Sequence, residues 1–310
     1  MGTEVPRWRA WVLAIRPQTF PAGAAPVVVG TALAADRGVF APGPALAALI
    51  GALLIQIGTN LANDYFDAAA GVDTEDRTGF TRATQAGLLA PGTVKRGAAI
   101  AFVLAILVGS YLVYIGGLPI LIIGLVSVIC GIAYAGGPYP LGSHGLGDLF
   151  VFIFFGLVAV VGTFYVQAAA VLASPPIVTI PPGTVDWVVV VASVPIACLA
   201  TAILVVNNVR DIDTDRAAGK RTLAVIIGRR RSLWEFDACL LVAYLVAGWF
   251  VLSGKAIGAG LVYLSAPYAL HVSRRMRQAP DGAALNVTLE RTGKLLAAYA
   301  ALFAVGVVVL

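Results

Sequence analysis

Two short acid-amide clusters stand at the ends of long apolar runs, Asn60-x-x-Asn63-Asp64-x-x-Asp67 and Asn207-Asn208-x-x-Asp211-x-x-x-Asp215. Carboxylates at a membrane edge are expensive unless something cationic binds them. Members of the first cluster step by 3, 1 and 3 residues, and those of the second by 1, 3 and 4. On a helix each set lines a single face. Two such faces in a hydrophobic chain suggest Mg²⁺ ions clamping a diphosphate. Mg²⁺ takes hard oxygen ligands, keeps several waters, and is usually held by one or two carboxylates together with substrate phosphates. Asn60, Asp64 and Asp67 supply such a surface, with Asp73 just beyond Gly71 as a further ligand. In the second cluster Asn207, Asp211 and Asp215 share a face, and Asp213 points to solvent. For either cluster alone the competing reading is a polar helix end capping itself in the headgroup region; a matched pair on one side of the membrane favours the metal.

A basic loop follows each cluster. Arg77 and Arg82 in one, and Lys220 and Arg221 in the other, are candidates to bind the diphosphate, where fixed cations offset a leaving group's charge. Asp64, Asp67, Asp211, Asp215 and Lys220 form the candidate catalytic set. The alternative for any of these cations is anchoring at the inner membrane face, which is the preferred reading for Arg229-Arg230-Arg231 and Arg274-Arg275. A third polar segment, residues 136–148, contains no Lys or Arg. That is odd for an inside loop unless it lies over something. His144 is its candidate base or substrate-binding group, with a surface histidine as the plainer alternative; His271 reads as interfacial.

The elements that must carry these residues follow from composition. The 310 residues are 59% hydrophobic and 12% charged, against roughly 25% charged in soluble domains. With a mean hydropathy of +0.90, the chain reads as a polytopic membrane protein rather than a soluble enzyme. Cys130, Cys198 and Cys239 are scattered through apolar stretches without a CxxC, so no zinc site or disulfide framework is implied. Arg7, Arg9 and Arg16 ahead of an apolar stretch loosely imitate a signal peptide, but Pro21 and Pro26 interrupt that stretch. A retained first helix is the better reading.

Apolar windows of membrane-crossing length predict about nine helices, near 18–35, 45–65, 96–115, 118–135, 149–173, 187–207, 237–253, 256–272 and 294–310. With the N-terminus in the cytoplasm, all but two of the 21 Lys and Arg, Arg37 and Lys255, fall in inside segments. That asymmetry supports both orientation and helix count. Both acidic clusters then lie at cytoplasmic ends, each closing the second helix of a four-helix set. The predicted architecture is therefore all-α, a single membrane domain. It comprises two four-helix repeats (about 18–135 and 149–272) plus a ninth helix.

Taken together, Asn60-x-x-Asn-Asp-Tyr-x-Asp67 with Gly71-x-Asp73, Arg82-Ala, Gly87-Leu, Gly137-Pro-x-Pro, Gly145-Leu-Gly-Asp148 and Asn207-Asn-x-Arg-Asp211-Ile-x-Thr-Asp215-x-x-x-Gly-Lys-Arg-Thr222 resemble the UbiA prenyltransferase superfamily. The likeness is greatest to its 1,4-dihydroxy-2-naphthoate polyprenyltransferase (MenA) branch, which the opening Arg16-Pro-x-Thr-Phe-Pro-Ala also matches. The resemblance implies a nine-helix bundle around a central cavity, with both motifs binding Mg²⁺ and an isoprenyl diphosphate. It implies departure of the diphosphate, attack of an electron-rich ring on the allylic cation and, in this branch, loss of the ring's carboxyl group to give demethylmenaquinol for menaquinone synthesis. A polyprenyl diphosphate and 1,4-dihydroxy-2-naphthoate are the implied substrates, in a cell membrane, with membrane lipid around the bundle and no nucleic acid. Tyr134, Tyr139 and His144 are the candidate acceptor contacts. The sequence departs from the broader pattern at Gly71, where an acid is frequent, and at Ser143-His144, where an aromatic residue is expected.

Other aromatic acceptors, such as 4-hydroxybenzoate, homogentisate or haem, remain alternatives within the superfamily. A CDP-alcohol phosphotransferase would open its motif with Asp-Gly and Ala-Arg ahead of the paired acids, and nothing here does. An ion-coupled transporter would carry its charges near the bilayer midplane rather than at helix ends.

Overall fold

The computed structural model describes residues 6–69, 83–135 and 141–309, without the side chains of Asp67 and of residues 131–135. Every regular element among the described residues is helical: α1 (Arg7–Ile15), α2 (Phe20–Asp36), α3 (Pro42–Ala69), α4 (Pro91–Ala135), α5 (Gly147–Val151), α6 (Ala159–Leu172), α7 (Trp187–Arg210), α8 (Ile212–Ala217), α9 (Leu223–Ile227), α10 (Arg229–Leu252), α11 (Ala266–Gln278) and α12 (Gly282–Val309). A π-helical stretch, Phe152–Val158, joins α5 to α6, and 3₁₀ segments precede α2, α5 and α11. Helices are the expected solution for so apolar a chain, because lipid offers no partner for a free backbone N–H or C=O.

Six described helices are long and apolar enough to cross a membrane: Pro42–Phe66, Pro91–Cys130, Gly147–Leu172, Trp187–Arg210, Arg229–Leu252 and Gly282–Val309. Their boundaries depart from the sequence reading in instructive ways. The windows 96–115 and 118–135 fall on the two arms of α4, which are separated by a kink at the non-helical Gly117. Its φ of +67° and a Cβ that would fall 2.0 Å from the Ile177 carbonyl oxygen both require glycine. The Leu118 N–H donates to that same carbonyl at 2.8 Å. The window 237–253 begins eight residues early, at Arg229, because the three arginines form the first turn of α10. The window 256–272 opens as a 3₁₀ segment, Ile257–Ser265, before α11. The first window becomes the 17-residue α2.

Apolar side chains assemble into unequal cores. The larger gathers Val29, Phe164, Ile196, Leu199, Phe236, Phe250, Leu296 and Phe303 from α2, α6, α7, α10 and α12. A smaller one joins α1, α3 and the start of α4 through Ala14, Leu61, Ala83, Leu89 and Val94. Each acidic segment is rooted in a different core. At the other end of α2 and α7, Arg37 pairs with Asp186 at 3.1 Å and Lys255 lies 4.9 Å above the Trp187 ring. The two predicted outside cations thus meet at the end away from the acidic motifs.

Candidate active site

α3 remains helical through the first motif, so Asn60 and Asp64 sit one turn apart on the face the spacing predicts. Both are buried, at 6% and 1% exposure. The Asn60 Nδ2 donates to the Ile15 carbonyl and to Thr19 Oγ1, both at 2.9 Å. Thr19 also accepts from Gln56 Nε2 at 3.1 Å and donates to the Arg16 carbonyl. Arg16, at φ +52°, makes the corner that brings Thr19 to α3. With both amide hydrogens engaged, the Oδ1 of Asn60 is the end left to meet a ligand.

Asp64 is satisfied differently. Its carboxylate accepts from the backbone N–H of Ala83 at 3.2 Å and of Thr84 at 3.4 Å, and from the Thr84 hydroxyl. A carboxylate this buried is tolerated only with such donors. Among the described residues these three donors take three of its roughly four lone-pair positions. Asp67 follows on the same helix, its side chain outside the described residues, as is that of Tyr134. Asp73, Arg77, Arg82 and Tyr139 also lie outside the described residues.

The second motif does not continue on one uninterrupted helix as its spacing predicts. α7 stops at Arg210, and Asp211, at φ −99° and ψ 8°, forms the boundary with α8. The Thr214 hydroxyl reaches back to the Asp211 carbonyl at 3.0 Å, a local competitor to regular helix. Four-residue hydrogen bonds still cross the boundary. The Asp211 N–H still donates to the Asn207 carbonyl at 3.2 Å, and the Asp215 N–H to the Asp211 carbonyl at 2.8 Å. Asn207, Asp211 and Asp215 therefore remain successive neighbours. Asp213 is 96% exposed and pairs with Arg216 on its own turn, as expected of the residue off this face.

Gly219, at φ +73°, turns the chain so that Lys220 returns to the motif. Its Nζ lies 3.6 Å from Asp215 Oδ1, and its N–H donates to the Asp215 carbonyl at 2.8 Å. The next N–H, that of Arg221, donates to the Ser143 carbonyl at 2.8 Å, docking this turn on the loop that carries His144. The Arg221 side chain is exposed, and His144 is half-buried and partnered. Burial pushes the Asp215 carboxyl above the ordinary range; the Asp211 charge adds to that effect, and Lys220 and Arg210 oppose it.

Three partners were not singled out by sequence reasoning: Thr19, Thr84 and Asn286. Thr19 stood within the Arg16-Pro-x-Thr pattern without a role. Thr84 and Asn286 carry no local signal, because each acts on a residue far away in the chain. Asn286, 76 positions beyond Arg210, accepts from that arginine at 2.8 Å.

Among the described residues, no three His, Cys, Asp or Glu side chains converge into a metal cage. The donors are hard oxygens spread over two motifs. That set fits Mg²⁺ held jointly with a phosphate-bearing ligand rather than a closed protein site.

Known proteins resemble this chain over nearly its whole length. The UbiA prenyltransferase family pattern matches residues 24–309. The 1,4-dihydroxy-2-naphthoate octaprenyltransferase of Escherichia coli (strain K12) is 39% identical over 301 residues, covering 94% of this chain and 92% of that protein. A UbiA homolog from Aeropyrum pernix K1 has the same fold at a TM-score of 0.69 and 15% identity, over 91% of this chain and 96% of its own. A second homolog, from Archaeoglobus fulgidus and solved with GPP and Mg²⁺, superposes at a TM-score of 0.63 and 16% identity, over 97% and 100% of the two chains. The chain belongs to the UbiA prenyltransferase family.

Proposed function

We propose that this protein transfers a polyprenyl group from its diphosphate to 1,4-dihydroxy-2-naphthoate, with loss of the ring carboxylate, giving demethylmenaquinol for menaquinone synthesis. The observation that carries the reading is the pair of acid-amide motifs with Lys220 folded back onto one of them. The naphthoate acceptor rests on the likeness to the Escherichia coli enzyme over nearly the whole chain.

Asn60, Asp64, Asp67 and Asp73 on one side, and Asn207, Asp211 and Asp215 on the other, would hold Mg²⁺. When bound, the metal neutralises charge on the diphosphate and so makes it a better leaving group. Lys220, with Arg221, Arg77 and Arg82, binds the diphosphate oxygens directly; an ammonium already fixed beside Asp215 needs little reorganisation as charge develops there. The apolar bundle excludes water from the reacting carbon. Tyr134, Tyr139 and His144 contact the acceptor.

The finer architecture belongs to the same proposal. α4 breaks at Gly117 into arms of about 39 and 27 Å by helical rise, each close to the roughly 30 Å of a bilayer core, which suits two crossings. With α2 and the segment from Ile257 through α11 as further crossings, the chain has nine, in two four-helix sets plus α12. The motifs then face the cytoplasm of a cell membrane, with the N-terminus inside.

Purified protein in detergent, given a polyprenyl diphosphate with 1,4-dihydroxy-2-naphthoate or 4-hydroxybenzoate, tests this by mass spectrometry. Mg²⁺-dependent demethylmenaquinol is the expected product. Prenylated hydroxybenzoate alone would overturn the acceptor, and no transfer by folded protein would overturn the activity.

A further inference from the structure

Arg210 sits beside the second motif yet is given no part in the mechanism above. Its side chain is 3% exposed, and burying a guanidinium so deeply is costly unless it is fully paired. It is paired on three sides. Nε donates to Asp211 Oδ1 at 2.8 Å and Nη2 to Asp211 Oδ2 at 2.6 Å, a two-pronged grip on the carboxylate. Nη2 also reaches Asn207 Oδ1 at 2.8 Å, and Nη1 reaches Asn286 Oδ1 on α12 at 2.8 Å. Four of about five guanidinium N–H groups are thereby used. Two of the three partners, Asp211 and Asn207, are oxygen donors of the proposed cation site. The third, Asn286, lies outside both motifs.

We propose that Arg210, fixed by Asn286, is a positioning residue that orients the Asp211 carboxylate and the Asn207 carbonyl for the metal–diphosphate. The inference rests on the function proposed above. The fork occupies one edge of the Asp211 carboxylate and leaves its remaining lone pairs pointing away from Arg210. It also balances the Asp211 charge, so that Asp211 and Asp215 can lie one turn apart without a cation. Asn286 gives the arrangement its fixed end. Without it, the guanidinium is held only by the two groups it is meant to orient, and all three can turn together.

The test alters the fixed end and leaves the motif intact. Asn286→Leu removes the acceptor, and Asn286→Asp keeps one. Binding of a non-reactive prenyl thiolodiphosphate is followed by calorimetry across a Mg²⁺ titration, below each variant's melting midpoint, alongside Mg²⁺-dependent turnover. Asn286→Leu should raise the Mg²⁺ needed for half-maximal analogue binding about tenfold, the weight of one hydrogen bond to a charged group. Asn286→Asp should return it to within about threefold of wild type, since a carboxylate accepts from the same N–H. A wild-type Mg²⁺ requirement in folded Asn286→Leu would overturn the proposal and reduce the contact to a tie between α7 and α12. Wild-type protein that neither binds the analogue nor transfers a prenyl group would instead overturn the function on which it rests.

Discussion

Asp64→Asn separates the two duties this carboxylate carries. Asp64 is 1% exposed and accepts from two backbone N–H groups and the Thr84 hydroxyl. Asparagine offers one oxygen where there were two and turns an NH₂ toward a donor. One lost charge-assisted bond together with one unpaired buried amide amounts to about 3 kcal/mol of stability. Losing the carboxylate as a cation ligand should slow turnover by about 10² to 10³, or roughly 3–4 kcal/mol of barrier, by analogy with removal of one charge-stabilising group elsewhere. Thr84→Val isolates the structural share, because it removes a hydroxyl and leaves the carboxylate. It should lower the melting midpoint by the equivalent of about 1.5–3 kcal/mol while sparing most of the turnover. The assay is product formation at saturating Mg²⁺ beside thermal unfolding in the same detergent. Folded Asp64→Asn turning over within about threefold of wild type would refute the metal assignment and leave Asp64 as the anchor of the turn at Ala83.

Lys220→Ala should raise the KM for the prenyl diphosphate by about tenfold or more, since it removes a charged contact; an unchanged KM would count against diphosphate binding. Asp215 titrates above the ordinary carboxylate range, so its contribution to folding is present at low pH and is lost as pH rises through that raised value. Activity runs the other way, needing the ionised form, and kcat/KM at limiting Mg²⁺ should fall on acidification. Lys220→Met should move that acid limb to higher pH, because Lys220 is what holds Asp215 down; a limb that stays put would argue against this coupling. Gly117→Ala should destabilise by about 2–4 kcal/mol, from the left-handed backbone and loss of the Leu118 N–H bond to Ile177, read as a lower midpoint in thermal unfolding.

The first motif was legible because a helical period needs only spacing, and α3 is helical there. The second was legible in its neighbours but not in its backbone, since spacing does not register that Asp211 leaves helical geometry at φ −99° and ψ 8°. Hydropathy located the apolar windows, yet it reports length and not continuity. It did not predict that Ile257–Ser265 would be 3₁₀ or that α10 would start at the three arginines. Least legible were Thr84 and Asn286. Periodicity describes one helix at a time, and these residues matter through the neighbour that the folded chain brings to them.

The corner at Arg16 to Thr19 also extends the support of the first motif toward the N-terminus. Hydropathy alone would treat everything before Phe20 as a leader to the first long helix, free to be trimmed or fused. Yet the Ile15 carbonyl and the Thr19 hydroxyl are what fix the amide of Asn60. The smallest piece of this protein that can keep its acidic motif in order therefore starts well upstream of that helix. Tags and truncations near residue 15 would disturb the hydrogen bonds that hold Asn60 of the proposed metal site.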